Sequence, residues 1–278
     1  CSEWVLVLLR FKGKPLGPVR KIIASKRADE IASINNLFQQ IDENRKKIHV
    51  GGLAGASRSF LISLVFQRLN RTVLIVCPEE KEAAAFARDL SLFLGEESVF
   101  HYPSLDFLTI DMFALQREEE LLRLETLANL QISHKLIIVT SANAVMQKVM
   151  PVDAFGQTMQ IISAGDTINR DEFGARLISQ GYKRESLVEE KGEFSIRGNI
   201  IDIFPPTEKN PLRLEMLGDE IESVRTFNPS SQRSIGTSSA FVLPPAGEMI
   251  IDPSTHELAV RNIRRRADEL SLSREMRN

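Results

Sequence analysis

Thiols are nearly absent from this 278-residue chain: Cys1 and Cys77 are its two cysteines. They cannot build a disulfide framework, which points to a reducing compartment. Long apolar runs are missing as well. The longest, such as Trp4 to Leu9 and Thr72 to Cys77, fall well short of the ~20 residues a membrane helix needs. No small-residue cleavage site follows the apolar start at residues 1–10, which argues against a signal peptide. Neither sign of charge dominates. Thirty-five Lys+Arg against 37 Asp+Glu leave a net charge of −2, which argues against a wholesale nucleic-acid coat protein. His49, His101, His134 and His256 stand at no metal-ligand spacing with one another, with Cys or with a carboxylate, so no metal site is expected. No GxSxG nucleophile motif, internal repeat or low-complexity segment is present. The composition is that of a globular chain long enough for one or two domains. Its start at Cys1 and its stop inside a charged, helix-like stretch read as a fragment of a longer protein.

The first half alternates short β-rich runs with helical ones. Lys47 to Val50 reads as a strand, Gly51 to Ser59 as a Gly-rich loop, and Phe60 to Leu69 as a buried helix. Thr72 to Cys77 has the pattern of a strand covered on both faces. From Glu79 the helical period places Ala83, Phe86, Ala87, Leu90, Phe93 and Leu94 on one face, with Gly95 at the C′ position. Ser98 to Tyr102 and Leu136 to Thr140 read as strands, Gln116 to Gln131 and Ala142 to Val149 as helices. This alternation implies a parallel sheet flanked by helices.

The pattern changes near residue 155. Asn169 and Glu172 predict a capped helix running to about Gln180, with Gly181 at C′. Four β-like segments follow: Glu193 to Arg197, Asn199 to Phe204, Pro211 to Leu217 and Glu220 to Phe227. Turns as short as those between them favour antiparallel pairing. The expected architecture is therefore an α/β parallel-sheet domain interrupted by a small α+β antiparallel domain. Its parts are an N-terminal segment at 1–25, the α/β domain at 26–154, the inserted domain at 155–245, and a return to the first domain at 246–278.

Gly52-Leu53-Ala54-Gly55-Ala56-Ser57-Arg58-Ser59 stands where a phosphate loop, GxxxxGK[ST], would lie between strand and helix. Ser57 replaces the last glycine, and its Cβ would crowd a backbone nest around phosphate. Arg58 replaces the lysine, which is not a conservative exchange. Only Ser59 keeps its type. The loop is expected to be vestigial, with no catalytic residue and no cofactor in this chain. Asp219-Glu220-Ile221-Glu222 resembles an acidic Mg²⁺ box, but Leu212 to Met216 before it alternates apolar and polar, as a half-exposed antiparallel strand does. Cys77, at a strand end, reads as a buried structural thiol. Arg261 to Arg266 holds four arginines, which fit a solvated helix face or a nucleic-acid contact. Arg184, Arg197 and Arg213, with the apolar Leu217, fit either a protein-docking patch or scattered surface arginines whose rim salt bridges contribute ~0–1 kcal/mol each.

A resemblance bears on that choice. The stretches Gly181-Tyr182-Lys183-Arg184, Glu193 to Pro205, Arg213 to Ser223 and Ser231-Gln232-Arg233 resemble the module shared by the excision-repair protein UvrB and the bacterial transcription-repair coupling factors. The resemblance extends over nearly the whole chain from about residue 30. UvrB-like chains have an intact phosphate loop and an aromatic-rich DNA-clamping hairpin. Here the loop is eroded and the corresponding stretch, His101 to Gln116, is short with a single Tyr, so the chain is similar to the N-terminal UvrB-like module of the coupling factors. Pro103 to Asp111 is also similar to that family. The resemblance implies a RecA-like (P-loop-type) first domain and no ATP hydrolysis in this module, ATP and Mg²⁺ being used by motor domains elsewhere in the parent protein. It implies UvrA as partner, gripped through Arg197, Arg213 and Leu217, with Arg184 matching a further UvrB-like arginine. A family arginine is Ser195 here, and relatives often have Phe where Leu217 stands. RNA polymerase and DNA would be met by other domains of the parent, and no membrane is implied. The rival readings are a UvrB-type ATP-dependent damage-binding protein and a direct DNA-binding module.

Overall fold

The computed structural model describes residues 5–7, 32–53, 55–69, 71–105, 113–133, 135–248, 250 and 253–270. The chain divides into two compact units, Cys1–Lys148 and Val149–Asn278.

In the first unit the elements are β1 (Val5–Val7), α1 (Ala32–Asp42), α2 (Ser57–Arg68), β2 (Val73–Cys77), α3 (Glu80–Leu94), β3 (Val99–Tyr102), α4 (Phe113–Ile132), β4 (Ile137–Ser141) and α5 (Ala142–Met146). The sheet order is β1-β2-β4-β3. Strands β2, β4 and β3 are parallel, while β1 runs antiparallel to β2. Central β4 is buried at every position, which is why its sequence is a continuous apolar run rather than an alternation. Its polar end is satisfied internally: Thr140 Oγ1 donates to the Tyr102 carbonyl at 2.8 Å, and Ser141 Oγ caps α5 through the Ala144 amide at 3.2 Å. Helix α3 buries Ala83, Phe86, Ala87 and Leu90 against this sheet. Phe93, at its far end, is tilted against Phe60 of α2 with ring centroids 6.1 Å apart.

Two local expectations are corrected. Lys47 to Val50 forms no strand. Only Ile48 and Val50 of that run are apolar, and β1, all apolar, takes the neighbouring place beside β2. The helix expected over Ala142 to Val149 stops at Met146, and a second, α6 (Val152–Thr158), starts directly after Pro151. Proline disfavours helix in the residue before it and is well suited to a helix start. The N-terminal segment 1–25 falls outside the described residues apart from 5–7, and so does most of Pro103 to Asp111.

At the carboxyl ends of the parallel strands, Glu80 ties three elements together. Its carboxylate lies 2.8 Å from His101 Nε2 of β3 and accepts hydrogen bonds from Ser141 Oγ of β4 (2.7 Å) and from Ser104 N and Oγ (3.1 and 2.9 Å). Beside it, the fully buried Arg123 of α4 lies over the Tyr102 ring at 4.3 Å and donates to the Pro103 carbonyl and Gln147 Oε1. Burial alone would push the Glu80 pKa up, but the hydrogen bonds from His101, Ser141 and Ser104 outweigh it and lower the pKa to about 2.

The second unit continues with β5 (Gln160–Ser163), α7 (Arg170–Ser179), β6 (Lys183–Arg184), β7 (Glu193–Arg197), β8 (Ile200–Ile203), β9 (Leu212–Leu217), β10 (Glu220–Phe227), β11 (Ser234–Ser238), β12 (Ala240–Leu243) and α8 (Pro253–Glu269). Strands β11-β10-β9-β8-β7-β6 form one sheet, antiparallel except for the short β6–β7 pair, and β5 pairs with β12. Asn169 caps α7 by accepting from the amides of Asp171 and Glu172. One sheet face is apolar, with Phe194, Ile201, Ile203, Leu212, Leu214 and Val224 buried. Helix α7 lies close on it: a Cβ added at Gly174 would stand 3.0 Å from Ile196 Cδ1. A bulge at Glu222 restores the alternation of β10 against β9. The Asp219 to Glu222 stretch is the β9–β10 turn and the start of β10.

Gly181, after α7, has a φ of +86°, and a Cβ there would lie 2.7 Å from the Gly247 nitrogen. The Ala246 amide donates to the Gln180 carbonyl and the Tyr182 hydroxyl to the Pro244 carbonyl. The residues Pro244 to Gly247 thus close the unit on its own helix end. Gly181→Ala combines a left-handed backbone with a backbone collision, so it is expected to cost about 2 kcal/mol or more, read from urea unfolding of this chain. A second expectation concerns pH. The Glu80 pKa is lowered below its ordinary 4.5, so the stability it contributes is complete above that value and is lost as pH falls through about 2. Glu80→Gln is expected to cost roughly 1–2 kcal/mol at pH 6, a figure held down by partial exposure. The gap between wild type and variant should narrow progressively below pH 4.5; a gap independent of pH would remove the charged network.

Candidate docking face on the antiparallel sheet

The polar face of the six-stranded sheet is set by register. Ser195, Asp202, Arg213 and Arg225 are cross-strand partners on β7, β8, β9 and β10. Arg197, Ile200, Glu215 and Ser223 form the next row, two residues along each strand. Cross-strand partners point to the same side, so all eight share one face.

Asp202 is the centre of this face. Its side chain has no solvent exposure. Oδ1 accepts from Arg213 Nε at 2.7 Å, and Oδ2 accepts from Arg213 Nη2 at 2.8 Å and from Arg197 Nη2 at 2.7 Å. The Arg213 pair is a two-pronged guanidinium–carboxylate contact, the strongest geometry these groups offer. Arg213 also lies over the Phe227 ring at 4.6 Å and faces the Gln232 carbonyl at 3.4 Å. Its side chain is 16% exposed, that of Arg197 44%. The hydrogen bonds to Asp202 raise the Arg213 pKa further above its ordinary value.

Several elements fix this arrangement. The β7–β8 turn is Gly198-Asn199, and Gly198 has the φ of +58° that the first position of a tight hairpin turn needs. Arg170, at the start of α7, donates to the Gly198 carbonyl (2.6 Å) and to Asn199 Oδ1 (3.2 Å), pinning the turn beside Arg197. Ser195 Oγ donates to the Ser186 carbonyl at 3.2 Å and so ties the loop after β6 to the sheet. That loop brings Val188 into a buried cluster with Phe204 and Phe227. Farther along the face, Glu215 Oε2 accepts from Ser223 Oγ at 2.5 Å and lies 3.2 Å from Arg225 Nη2.

The structure brings Arg197 and Arg213 onto one carboxylate. Leu217, two residues beyond Glu215 on β9, is 67% exposed and stands at the end of the same face. Arg184 is set apart. It is exposed on edge strand β6, and its register partner is Phe194, which belongs to the apolar face. Asp202, Arg170 and Arg225 escaped the sequence reading, whereas strand alternation already puts Glu215 on the side of Arg213 and Leu217. The one available signal was Asp202, a charge inside the apolar run Ile200-Ile201-Asp202-Ile203-Phe204, since a carboxylate there needs a buried partner.

Among the described residues leading into the Gly-rich loop of the first unit, 43–53 form no strand, and Ala54 lies outside the described residues. Gly52 and Gly55 keep positive φ values of +79° and +55°. Helix α2 begins at Ser57, Arg58 Nη1 lies 3.3 Å from Glu82 Oε1, and Ser59 is fully buried. Cys77 is buried, and burial followed by the charge of Glu82 pushes its thiol pKa up to about 12, the state of an unreactive thiol. Among the described residues no helix is long and apolar enough to cross a membrane.

Residues 161–249, which contain this face, match the family described as the UvrB interaction domain. The wider chain is 32% identical over 238 residues to the transcription-repair-coupling factor of Bacillus subtilis, a match covering 86% of this chain and 20% of the relative. The Myxococcus xanthus transcription-repair-coupling factor is 32% identical over 243 residues, covering 84% and 20%. That of Staphylococcus aureus is 29% identical over 219 residues, covering 78% and 19%. The chain thus spans about a fifth of the length of the relatives it matches. Both comparisons agree with the resemblance carried by Arg184, Glu193 to Pro205 and Arg213 to Ser223.

Within this segment, Arg213→Ala would leave the buried Asp202 with Arg197 as its remaining side-chain partner. Breaking a buried pair from one side is strongly destabilising, so a loss of about 2–4 kcal/mol in urea unfolding is expected, with Arg213→Lys intermediate because it cannot form the two-pronged contact. A loss under ~0.5 kcal/mol, the range of an ordinary surface substitution, would show that Arg213 is not structural.

Proposed function

We propose that this chain is the adaptor portion of a bacterial transcription-repair coupling factor, and that it recruits UvrA to RNA polymerase stalled at DNA lesions. The observation that carries the reading is the convergence of Arg197, Arg213 and Leu217 on one rigid, solvent-facing sheet inside the segment that matches the UvrB interaction domain. A guanidinium beside an exposed apolar residue is the composition of an interface anchor. Arg197 supplies a charge-assisted hydrogen bond to a partner carboxylate and Leu217 the apolar contact. Arg184, on the edge strand in register with Phe194 of the apolar face, stands apart from that contact.

The chain itself hydrolyses no ATP in this reading. The Arg58–Glu82 pair and the buried Ser59 support a vestigial loop on a first unit of RecA-like descent. ATP and Mg²⁺ would serve motor domains elsewhere in the parent protein, which would also meet DNA and RNA polymerase, all in the bacterial cytoplasm.

Calorimetric titration with purified UvrA tests the proposal. Arg197→Ala is expected to cost about 2 kcal/mol or more if it is an anchor, and Leu217→Phe to tighten binding by roughly 0.5–1.5 kcal/mol through added ring contact. Wild-type chain that ignores UvrA would end this reading. Saturable micromolar binding of ATP with Mg²⁺ would favour a UvrB-type enzyme instead, and duplex DNA affinity falling steeply with salt would favour direct binding through Arg261 to Arg266.

A further inference from the structure

We propose that Asp202 is the positioning residue of the docking face, and that Arg213 serves it as a strut while Arg197 makes the contact with the partner. The inference rests on the docking reading above and assigns separate jobs to the residues it groups together.

The two arginines are unequally free. Arg213 has Nε and Nη2 on the two oxygens of Asp202, Nη1 toward the Gln232 carbonyl, and its plane over Phe227. A guanidinium with its fork so engaged has no second edge for a two-pronged contact with a partner carboxylate. Arg197 meets the same carboxylate through Nη2 alone and remains 44% exposed. Its backbone is held next to a turn that Arg170 clamps. The shared Oδ2 of Asp202 therefore fixes one end of the Arg197 guanidinium and leaves its other nitrogens directed away from the buried carboxylate. A long, flexible arginine is thereby ordered before the partner arrives, which removes part of the ordering cost of binding. Two guanidiniums against one carboxylate leave the cluster with a charge of about +1, which attracts an acidic group without fully exposing either cation.

This makes a prediction opposite to that of simple charge attraction. Asp202→Asn raises the positive charge of the face, so a purely electrostatic patch would bind an acidic partner more tightly. Positioning by Asp202 requires weaker binding. Calorimetry with purified UvrA on wild type, Asp202→Asn, Arg197→Ala and the double variant is expected to show a loss of at least tenfold for Asp202→Asn. Arg197→Ala should then add less than threefold in the Asp202→Asn background, while Leu217→Ala should weaken binding by the same factor in both backgrounds. Arginine Nε–H NMR spectra of the free chain give a readout without the partner. The Arg197 signal should be resolved in wild type and collapse to the position of solvated arginines in Asp202→Asn, with backbone amide dispersion retained. If Asp202→Asn loses that dispersion, Arg197→Lys carries the test. It keeps charge and reach but not the planar fork that can touch Asp202 and a partner carboxylate together, so at least tenfold weaker binding is expected and unchanged binding overturns the proposal. Wild-type binding together with unchanged or tighter binding by folded Asp202→Asn, or full additivity with Arg197→Ala, overturns the positioning role alone. Absence of wild-type binding overturns the docking reading, and this proposal with it.

Discussion

A carboxylate without solvent exposure, placed between two guanidiniums, organises the polar sheet face of the second unit. Asp202 on β8 could not be buried as an unpaired charge, since desolvation of an isolated carboxylate costs far more than a domain's margin of stability. It is tolerated because Arg213 on β9 and Arg197 on β7 bring three hydrogen bonds to its two oxygens. That requirement ties three neighbouring strands into one register, because a one-residue slip would send Asp202 to the apolar face among Ile201, Ile203 and Leu214. The same contact leaves a partly exposed cation on a stiff support. On the docking proposal, structure and recognition in this unit draw on one interaction, and the surrounding pieces serve it: the Arg170 clamp on the turn, the Phe227 ring under Arg213, and the loop that places Val188 beside Phe227.

The first unit spends its polar groups on itself. Open parallel sheets bind ligands at the carboxyl ends of their strands. Here that end is crossed by Glu80, which joins His101, Ser104 and Ser141, and by Arg123, which joins Tyr102, Pro103 and Gln147. The Gly-rich loop has likewise turned inward, with Arg58 on Glu82 and Ser59 buried. These are the groups that would otherwise meet phosphate and Mg²⁺.

Much of the fold was legible because the signals are local. The buried strands at Val73 to Cys77 and Ile137 to Ser141, the apolar stripe of Ala83, Phe86, Ala87 and Leu90, the Asn169 cap and the tight turns at Gly198 and Gly218 each follow from neighbouring residues. The misreadings came where a local pattern had a competitor. Lys47 to Val50 has β-like residues, but Val5–Val7 takes the place beside β2. Ala142 to Val149 has helical residues, but Pro151 ends one helix and starts another. Of the docking residues, Arg197, Arg213 and Leu217 were reached by resemblance rather than by physics, because an arginine in a strand carries no mark of its partner. Arg184 was reached in the same way, and the fold sets it on an edge strand across from Phe194.

By itself the amino-acid order determined which segments are helix and strand, which strands are covered on both faces, and where hairpins turn. All of these depend on periodicity and on backbone preferences over a few residues. Only the tertiary structure decided that Asp202, Arg213 and Arg197 share one site, that Arg123 is buried over Tyr102, and that Gly181 must yield its side-chain space to Gly247. Those facts depend on pairing between residues far apart in the chain, and there register and close packing, rather than local propensity, determine which groups touch.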